Sequence, residues 1–476
     1  MEKVLEGPAP SAHQQTVATA RRERRLAVAA LEQAHPPDSL WRPMTVPGAP
    51  PPFAPLEIVS ASGMFVRDRA GTFHLDMTAG LACVNVGHGR QEMLEAITQQ
   101  MNRLAVWPVF ADVCHPAAQQ LAQRLTGLLE PEGMQQVLFS NSGSDAVETA
   151  IKLARQYWLL AGLPGKKRIY SLRNAYHGVH YGAASASGMA VLKQAYAPMA
   201  PGFAQVESPA SLGMEFAGQP EQCCSFALRQ LEREILSDGP DAVAAILVEP
   251  IQGAAGIIIP PASFLPQLRR LCDFHNILLI ADEVFTGFGR TGQLMACRLW
   301  DVRPDILCMA KALTSGYVPM GATAVNARVS QAWQSAAPTS AIADGHTSSG
   351  HPLACAAAMA SLDLIENEGL VAHSQSLGAA FLQRLQTLVQ LPQVASVRGQ
   401  GLMLAVELVR DKRTAQPFAM DSQAMRHIRA ATLHSRVLVR LAPGLITLTP
   451  PLIISQRQME HCVQVLGQVL TQLRLD

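Results

Sequence analysis

Several things are scarce in this 476-residue chain, and each scarcity closes off a class of protein. Its nine cysteines are an odd number with no CxxC pair and no zinc-type spacing, and Cys223 and Cys224 are adjacent. That set suits reduced thiols in the cytoplasm better than a disulfide framework, and no metal site is expected. Charge is thin: charged residues make up 16%, and 38 Lys plus Arg stand against 37 Asp plus Glu. So near-neutral a chain offers nothing to nucleic acid or to an anionic membrane. A surface so poor in charge is expected to be covered in part by another subunit. No apolar run approaches the roughly 20 residues of a membrane helix. The basic N-terminus, MEKVLEGPAPSAHQQTVATARRERR, has no apolar core of the secretory kind. A P-loop is missing too, because no Gly-rich turn ends in Gly-Lys-Ser/Thr.

What the chain does have is apolar material, 49% of its residues, in a length sufficient for two or three domains. Thr16 to Gln33 has helical spacing, and Pro36 to Pro55 is proline-rich and reads as extended. The stretch GMFVRDRAGTFHLDM reads as a small β-meander. Helices are expected over Arg90–Leu104 and His115–Leu129. From Gln136 to Val325 apolar runs alternate with amphipathic helices, with strands at 137–141, 168–172, 243–250, 277–284 and 305–311. Such alternation predicts an α/β fold: a large domain with a mostly parallel sheet flanked by helices. After about Gly350 the texture changes, with helices at 352–367 and 371–390 and then a strand-rich tail. We therefore expect three parts. Residues 1–79 join the small domain, 80–345 form the large one, and 346–476 form the rest of a smaller α+β domain.

Chemistry gathers where these strands end. The run ILLIA ends in Asp282 and Glu283, although a strand buried on both faces has little reason to close on acids unless something positive lies beyond it. A second strand ends in Glu249. In SNSGSDAVETAIKLAR a Ser/Gly turn (Ser142, Gly143, Ser144) leads into a helix. Such a turn serves either as an anion cradle or as an N-cap. Lys311 closes the strand DILCMAK, and it either reaches water along its stem or stands desolvated as a Schiff-base nucleophile. Tyr176, in YHG, is a stacking ring or a core ring. Together a phosphate cradle, an aromatic, an acid and a lysine are the set that pyridoxal 5'-phosphate requires. Asp282 would then keep the pyridinium nitrogen protonated.

In order and spacing the motifs TAGLACVNVGHG, SNSGSDAVETAIKLAR, NAYHG, VEPIQG, IADEVFTGFGRTG, ALTSGYVPMGA after Lys311, HTSSGHPLACAAA, RGQGLM and PPLIIS resemble the class III (omega) aminotransferases. These are fold type I pyridoxal-phosphate enzymes, and the likeness runs from Trp41 to Val465, closest to the amine:pyruvate branch. The resemblance implies that Lys311 carries the Schiff base and acts as general base. It implies that Asp282 partners the pyridinium, that Tyr176 and Val284 flank the ring, and that Ser142, Gly143 and Ser144 hold the phosphate. Glu249 and His177 would support them, and Glu283 would pair with a neighbouring cation. Thr347 would reach the phosphate of a second subunit, so that a homodimer, or a tetramer, with sites at the interface is implied. Arg440 would bind the carboxylate of a 2-oxo acid, with pyruvate the expected acceptor and oxoglutarate the other choice. Ala82 stands where such relatives often carry Trp, and Ser348 where they carry another aromatic. The two lost rings favour a bulky or long amine, in a pocket that Trp107 and Phe110 would line. A diaminopelargonate-forming aminotransferase and a fold type I decarboxylase or aminomutase are the alternative activities.

Overall fold

A computed structural model describes residues 40–46, 49–209, 219–334, 336 and 340–473. The helix expected over Thr16–Gln33 lies outside them. Residues 40–46 and 49–55 contain neither helix nor strand.

Past residue 55 the chain opens with the expected meander. Strands β1 (Ile58–Ser62), β2 (Phe65–Asp68) and β3 (Phe73–Asp76) pair antiparallel in sequence order. The large sheet has seven strands: β4 (Met134–Ser140), β5 (Arg168–Leu172), β6 (Phe203–Val206), β7 (Val243–Val248), β8 (Leu278–Asp282), β9 (Ile306–Met309) and β10 (Gly321–Asn326). Their spatial order is β4-β10-β9-β8-β7-β5-β6. The run from β9 to β6 is parallel, and β10 lies antiparallel between β4 and β9.

Burial on both faces explains the unbroken apolar runs. Leu278 and Ile280 point into a cluster with Ala146, Ala150 and Ala154 of the helix Gly143–Leu160. Ile277 and Leu279 point the other way, against Leu231 and Ile235 of the helix Pro220–Asp238 and Leu268 of the helix Phe264–Phe274. The period-two switch of sides is what a pleated strand imposes. Small alanines on the first helix bring it close enough for Thr323 Oγ1 on β10 to donate to the Ala146 carbonyl at 2.8 Å.

The tail supplies β11 (Val394–Gln400), β12 (Met403–Asp411), β13 (Gln416–Pro417), β14 (Val437–Leu438), β15 (Arg440–Ala442) and β16 (Leu445–Leu448). Most form a second antiparallel sheet, β11-β12-β16-β15. Strand β14 instead pairs parallel with β3, so Val437 lies opposite Leu75. Among the described residues no helix is long and apolar enough to cross a membrane.

Candidate active site

The parallel strands, and β4 with them, deliver their carboxyl ends to one edge of the large sheet, and at that edge the polar residues converge. Asp282 is the last residue of β8 and is buried. Its Oδ1 accepts from the Val284 N–H at 3.1 Å, and its Oδ2 faces His177 Nδ1 at 2.9 Å. His177 is buried as well, and its backbone N–H donates to Ser187 Oγ at 2.9 Å. A ring nitrogen facing a carboxylate carries the proton, so in the neutral imidazole Nε2 is bare; it has no partner among the described residues.

Glu249, just beyond β7, accepts from the Tyr176 N–H and the Gly253 N–H, each at 2.9 Å. It therefore fixes the backbone of the YHG segment. Burial pushes its carboxyl up to about 7, while His177 pulls it down and Asp282 pushes it further up. The Tyr176 phenol is raised by burial and by Asp282, and lowered by Arg440.

Lys311 follows β9 in a left-handed conformation, φ 45°. For a residue with a Cβ this strain costs about 1–2 kcal/mol, and it persists where packing dictates the turn. The side chain is half-buried, and its amine lies 4.3 Å from the centroid of the Phe285 ring. Desolvation pushes the amine down to about 8, against the pull of Asp282 and Glu249. Lys311 is thus desolvated at its head rather than free in water.

The turn read as an anion cradle or an N-cap is an N-cap, and it leaves two amides over. Ser142 caps the helix Gly143–Leu160, accepting from the Asp145 N–H at 3.2 Å and donating to Asp145 Oδ2 at 3.0 Å. Ser144 Oγ accepts from the Val179 N–H at 3.1 Å. The serine hydroxyls are occupied, whereas the amides of Gly143 and Ser144 have no acceptor among the described residues. Two free amides at a helix N-terminus form an anion site. The cradle is tight: a Cβ on Gly143 would lie 2.8 Å from Val284 Cγ1, and one on Gly178 (φ 121°) would lie 2.6 Å from Ser144 Oγ. A desolvated amine, a buried carboxylate, an aromatic, a valine and two free amides suit the aldehyde, pyridine ring and phosphate of pyridoxal phosphate.

Glu283, expected to pair with a cation, has no cationic partner among the described residues. It is fully buried and accepts from the Ala296 N–H at 2.9 Å, the Cys297 N–H at 2.8 Å and the Thr286 hydroxyl. Backbone amides do the work of a cation here, because the loop 284–297 folds back over the carboxylate. The paired acids closing β8 have separate tasks: Asp282 faces the site and Glu283 pins the loop.

The remaining expected residues are placed around this centre. Arg440 opens β15, exposed, near enough for its charge to act on Tyr176 and Lys311. Ala82 is buried in a segment packed on the turn after Lys311, where Val86 N–H donates to Ser315 Oγ at 2.9 Å. Trp107 and Phe110 are exposed. Their segment is tied to the loop bearing Thr347 and Ser348, since His115 Nε2 lies 2.7 Å from the Gly350 carbonyl. Thr347 is exposed and makes no side-chain hydrogen bond among the described residues. Sequence reasoning passed over Phe285; its signal was an aromatic immediately after the Asp-Glu-Val that closes β8.

The chain is similar to proteins of one family over most of its length. Residues 49–470 match the class-III aminotransferase family. The putrescine–pyruvate aminotransferase of Pseudomonas aeruginosa is 35% identical over 416 residues, covering 87% of this chain and 90% of that protein. The omega-aminotransferase of Caulobacter vibrioides is 36% identical over 439 residues, covering 92% and 98%. Among solved structures, an amine transaminase from an uncultivated Pseudomonas species in its PLP-bound form superposes with a TM-score of 0.89. It is 42% identical, with 92% of this chain and 99% of that one covered.

Proposed function

The chain belongs to the class III aminotransferases, enzymes that use pyridoxal phosphate to move amino groups between amines and oxo acids, and from that premise we propose the roles of its residues and its substrates. The donor is a primary amine or omega-amino acid, and the acceptor is pyruvate. The single observation that carries the assignment of the centre is the convergence of Lys311, Asp282 and the Gly143–Ser144 amides at one sheet edge.

Pyridoxal phosphate, when bound, supplies an aldehyde that condenses with amines and a ring that withdraws electrons. Lys311 Nζ is its covalent anchor. Once displaced by the donor, the same nitrogen takes the proton from the donor's amine-bearing carbon, a task suited to an amine lowered to about 8. Asp282 holds its partner's proton, and His177 holds Asp282. Tyr176 and Val284 flank the ring position, and Glu249 keeps Tyr176 in place through its backbone. The amides of Gly143 and Ser144 bind the phosphate. Arg440 binds the acceptor's carboxylate, as its planar fork allows, and its exposed strand-end position leaves it room to swing aside for an uncharged amine. Ala82 leaves space for a bulky or long donor.

The working unit is a homodimer with sites at the interface. Thr347, exposed and without a side-chain hydrogen bond among the described residues, and the exposed Trp107 and Phe110 support that reading. Residues 80–345 act as the cofactor-binding domain and 346–476, with β1 to β3, as the smaller one; the β14–β3 pairing supports this division. The nine free cysteines fit a cytoplasmic enzyme.

The test is the visible spectrum of the purified protein, taken alone, after a simple aromatic amine, and again after pyruvate. Yellow colour that bleaches with the amine and returns with pyruvate is the expected result. Colour restored by oxoglutarate but not by pyruvate would replace the acceptor, and colour that never bleaches would overturn the donor class.

A further inference from the structure

The amine of Lys311 stands in a desolvated place where both neighbouring carboxylates are engaged elsewhere. Asp282 is bonded to Val284 N–H and His177, and Glu249 to the N–H groups of Tyr176 and Gly253. What the amine lies against instead is the face of Phe285, 4.3 Å from the ring centroid.

That ring is held in place from behind. It packs on the cluster of Ile251, Ile257 and Met403, on which Ala442, from the same strand as Arg440, packs as well. Gly253 lies directly against it: a Cβ there would fall 2.7 Å from Phe285 Cγ. The residue's own backbone belongs to the loop that Glu283 pins through Ala296 and Cys297.

We propose that Phe285 is a positioning residue of the reaction, whose ring face seats the Lys311 ammonium whenever that nitrogen is not bonded. A ring face attracts a cation yet carries no net charge. It keeps the released lysine beside the reacting carbon instead of in solvent, and it yields the nitrogen readily once the proton has gone. A carboxylate in the same place would hold the ammonium too firmly for it to act as a base. The other groups whose charge reaches the amine are Asp282, Glu249, Cys83 and Arg440, and they are common to enzyme with and without the ring.

This inference rests on Lys311 being the anchor, and the two are tested separately. Borohydride reduction of the loaded enzyme fixes the cofactor to its lysine, and mass spectrometry locates it; attachment elsewhere than Lys311 overturns both the anchor and the inference. The second measurement uses enzyme converted by an amine to its pyridoxamine-phosphate form, in which the lysine is free. Carbamylation of Lys311 by cyanate is followed by peptide mass spectrometry from pH 6 to 10; the neutral amine reacts with isocyanic acid, so at fixed total cyanate the rate falls as pH passes the pKa of the amine. Phe285→Leu should lower the midpoint of that profile by about one pH unit. Phe285→Trp, which keeps a ring face and serves if the leucine variant does not fold, should leave it unchanged or raise it. A leucine midpoint equal to or above that of the unaltered enzyme, or a tryptophan midpoint below it, overturns the inference while leaving the anchor in place.

Discussion

His177 Nδ1 and Asp282 Oδ2 face each other at 2.9 Å, both side chains buried, and the carboxylate's other oxygen is held by the Val284 N–H. The pair fixes the direction in which Asp282 presents its charge, as an imidazole does for a buried acid it bonds. Asp282→Asn removes a charge-assisted hydrogen bond of about 1.5–3 kcal/mol, so kcat should fall roughly 10- to 100-fold or more. His177→Asn, which leaves the carboxylate in place, should lose less. Single-turnover kinetics with a simple amine would show it, and equal losses would mean that the histidine carries the charge itself.

Lys311→Met should abolish turnover and at the same time stabilise the cofactor-free protein. Burial lowers the folded amine from 10.5 to about 8. The destabilisation is therefore present in full below pH 8 and relieved as pH climbs toward 10.5. Its upper bound at neutral pH is about 3 kcal/mol. Chemical denaturation at pH 7 and pH 10 should show the methionine variant's advantage shrinking at the higher pH.

Glu249 titrates in the opposite sense. Its folded carboxyl lies at about 7 against 4.5 for the ordinary group, so the folded protein binds the extra proton between those values. Stability contributed by this group is present at low pH and falls as pH rises from about 4.5 to 7, by at most about 3 kcal/mol. Glu249→Gln cannot titrate. The difference in Tm between the variant and the unaltered protein should therefore shift in the variant's favour across that window; a pH-independent difference would refute the argument.

Gly143→Ala should weaken cofactor binding roughly tenfold or more, because the new methyl group would lie 2.8 Å from Val284 Cγ1 in a cradle with no slack. Adding Val284→Ala should recover part of the loss, and fluorescence titration of the four proteins would give the coupling. Additive losses would mean that Val284 is not the obstacle.

Much of this architecture was readable from residues alone, and the exceptions have physical reasons. Strand β5 begins and ends where its apolar run does, and β7 and β8 stop within two residues of theirs, because burial on both faces leaves an uninterrupted signal. Strand β10 escaped notice since Gly321-Ala-Thr-Ala is too small and too weakly β-forming to stand out, though packing against Ala146 requires that smallness. Spatial order could not be read at all: nothing local to β10 says that it separates β4 from β9. At the site the type of each group was legible, but its engagement was not. The Ser142 cap, made to an amide three residues on, was one of two open readings, whereas Glu283 bonds to amides of a loop that sequence does not bring into view, and the meeting of Phe285 with Lys311 depends on two strands lying side by side.

The pairing of β14 with β3 bears on how the molecule is made. Leu75 and Asp76 leave the ribosome before any strand of the large sheet, yet the strand that covers them, Val437–Leu438, emerges only after all of them. The N-terminal meander must wait, one edge bare, through synthesis of the entire large sheet, and contacts so remote in sequence form slowly. Completion of that small sheet is therefore a late event, and a chain stopped short of Val437 keeps an open edge available to other chains.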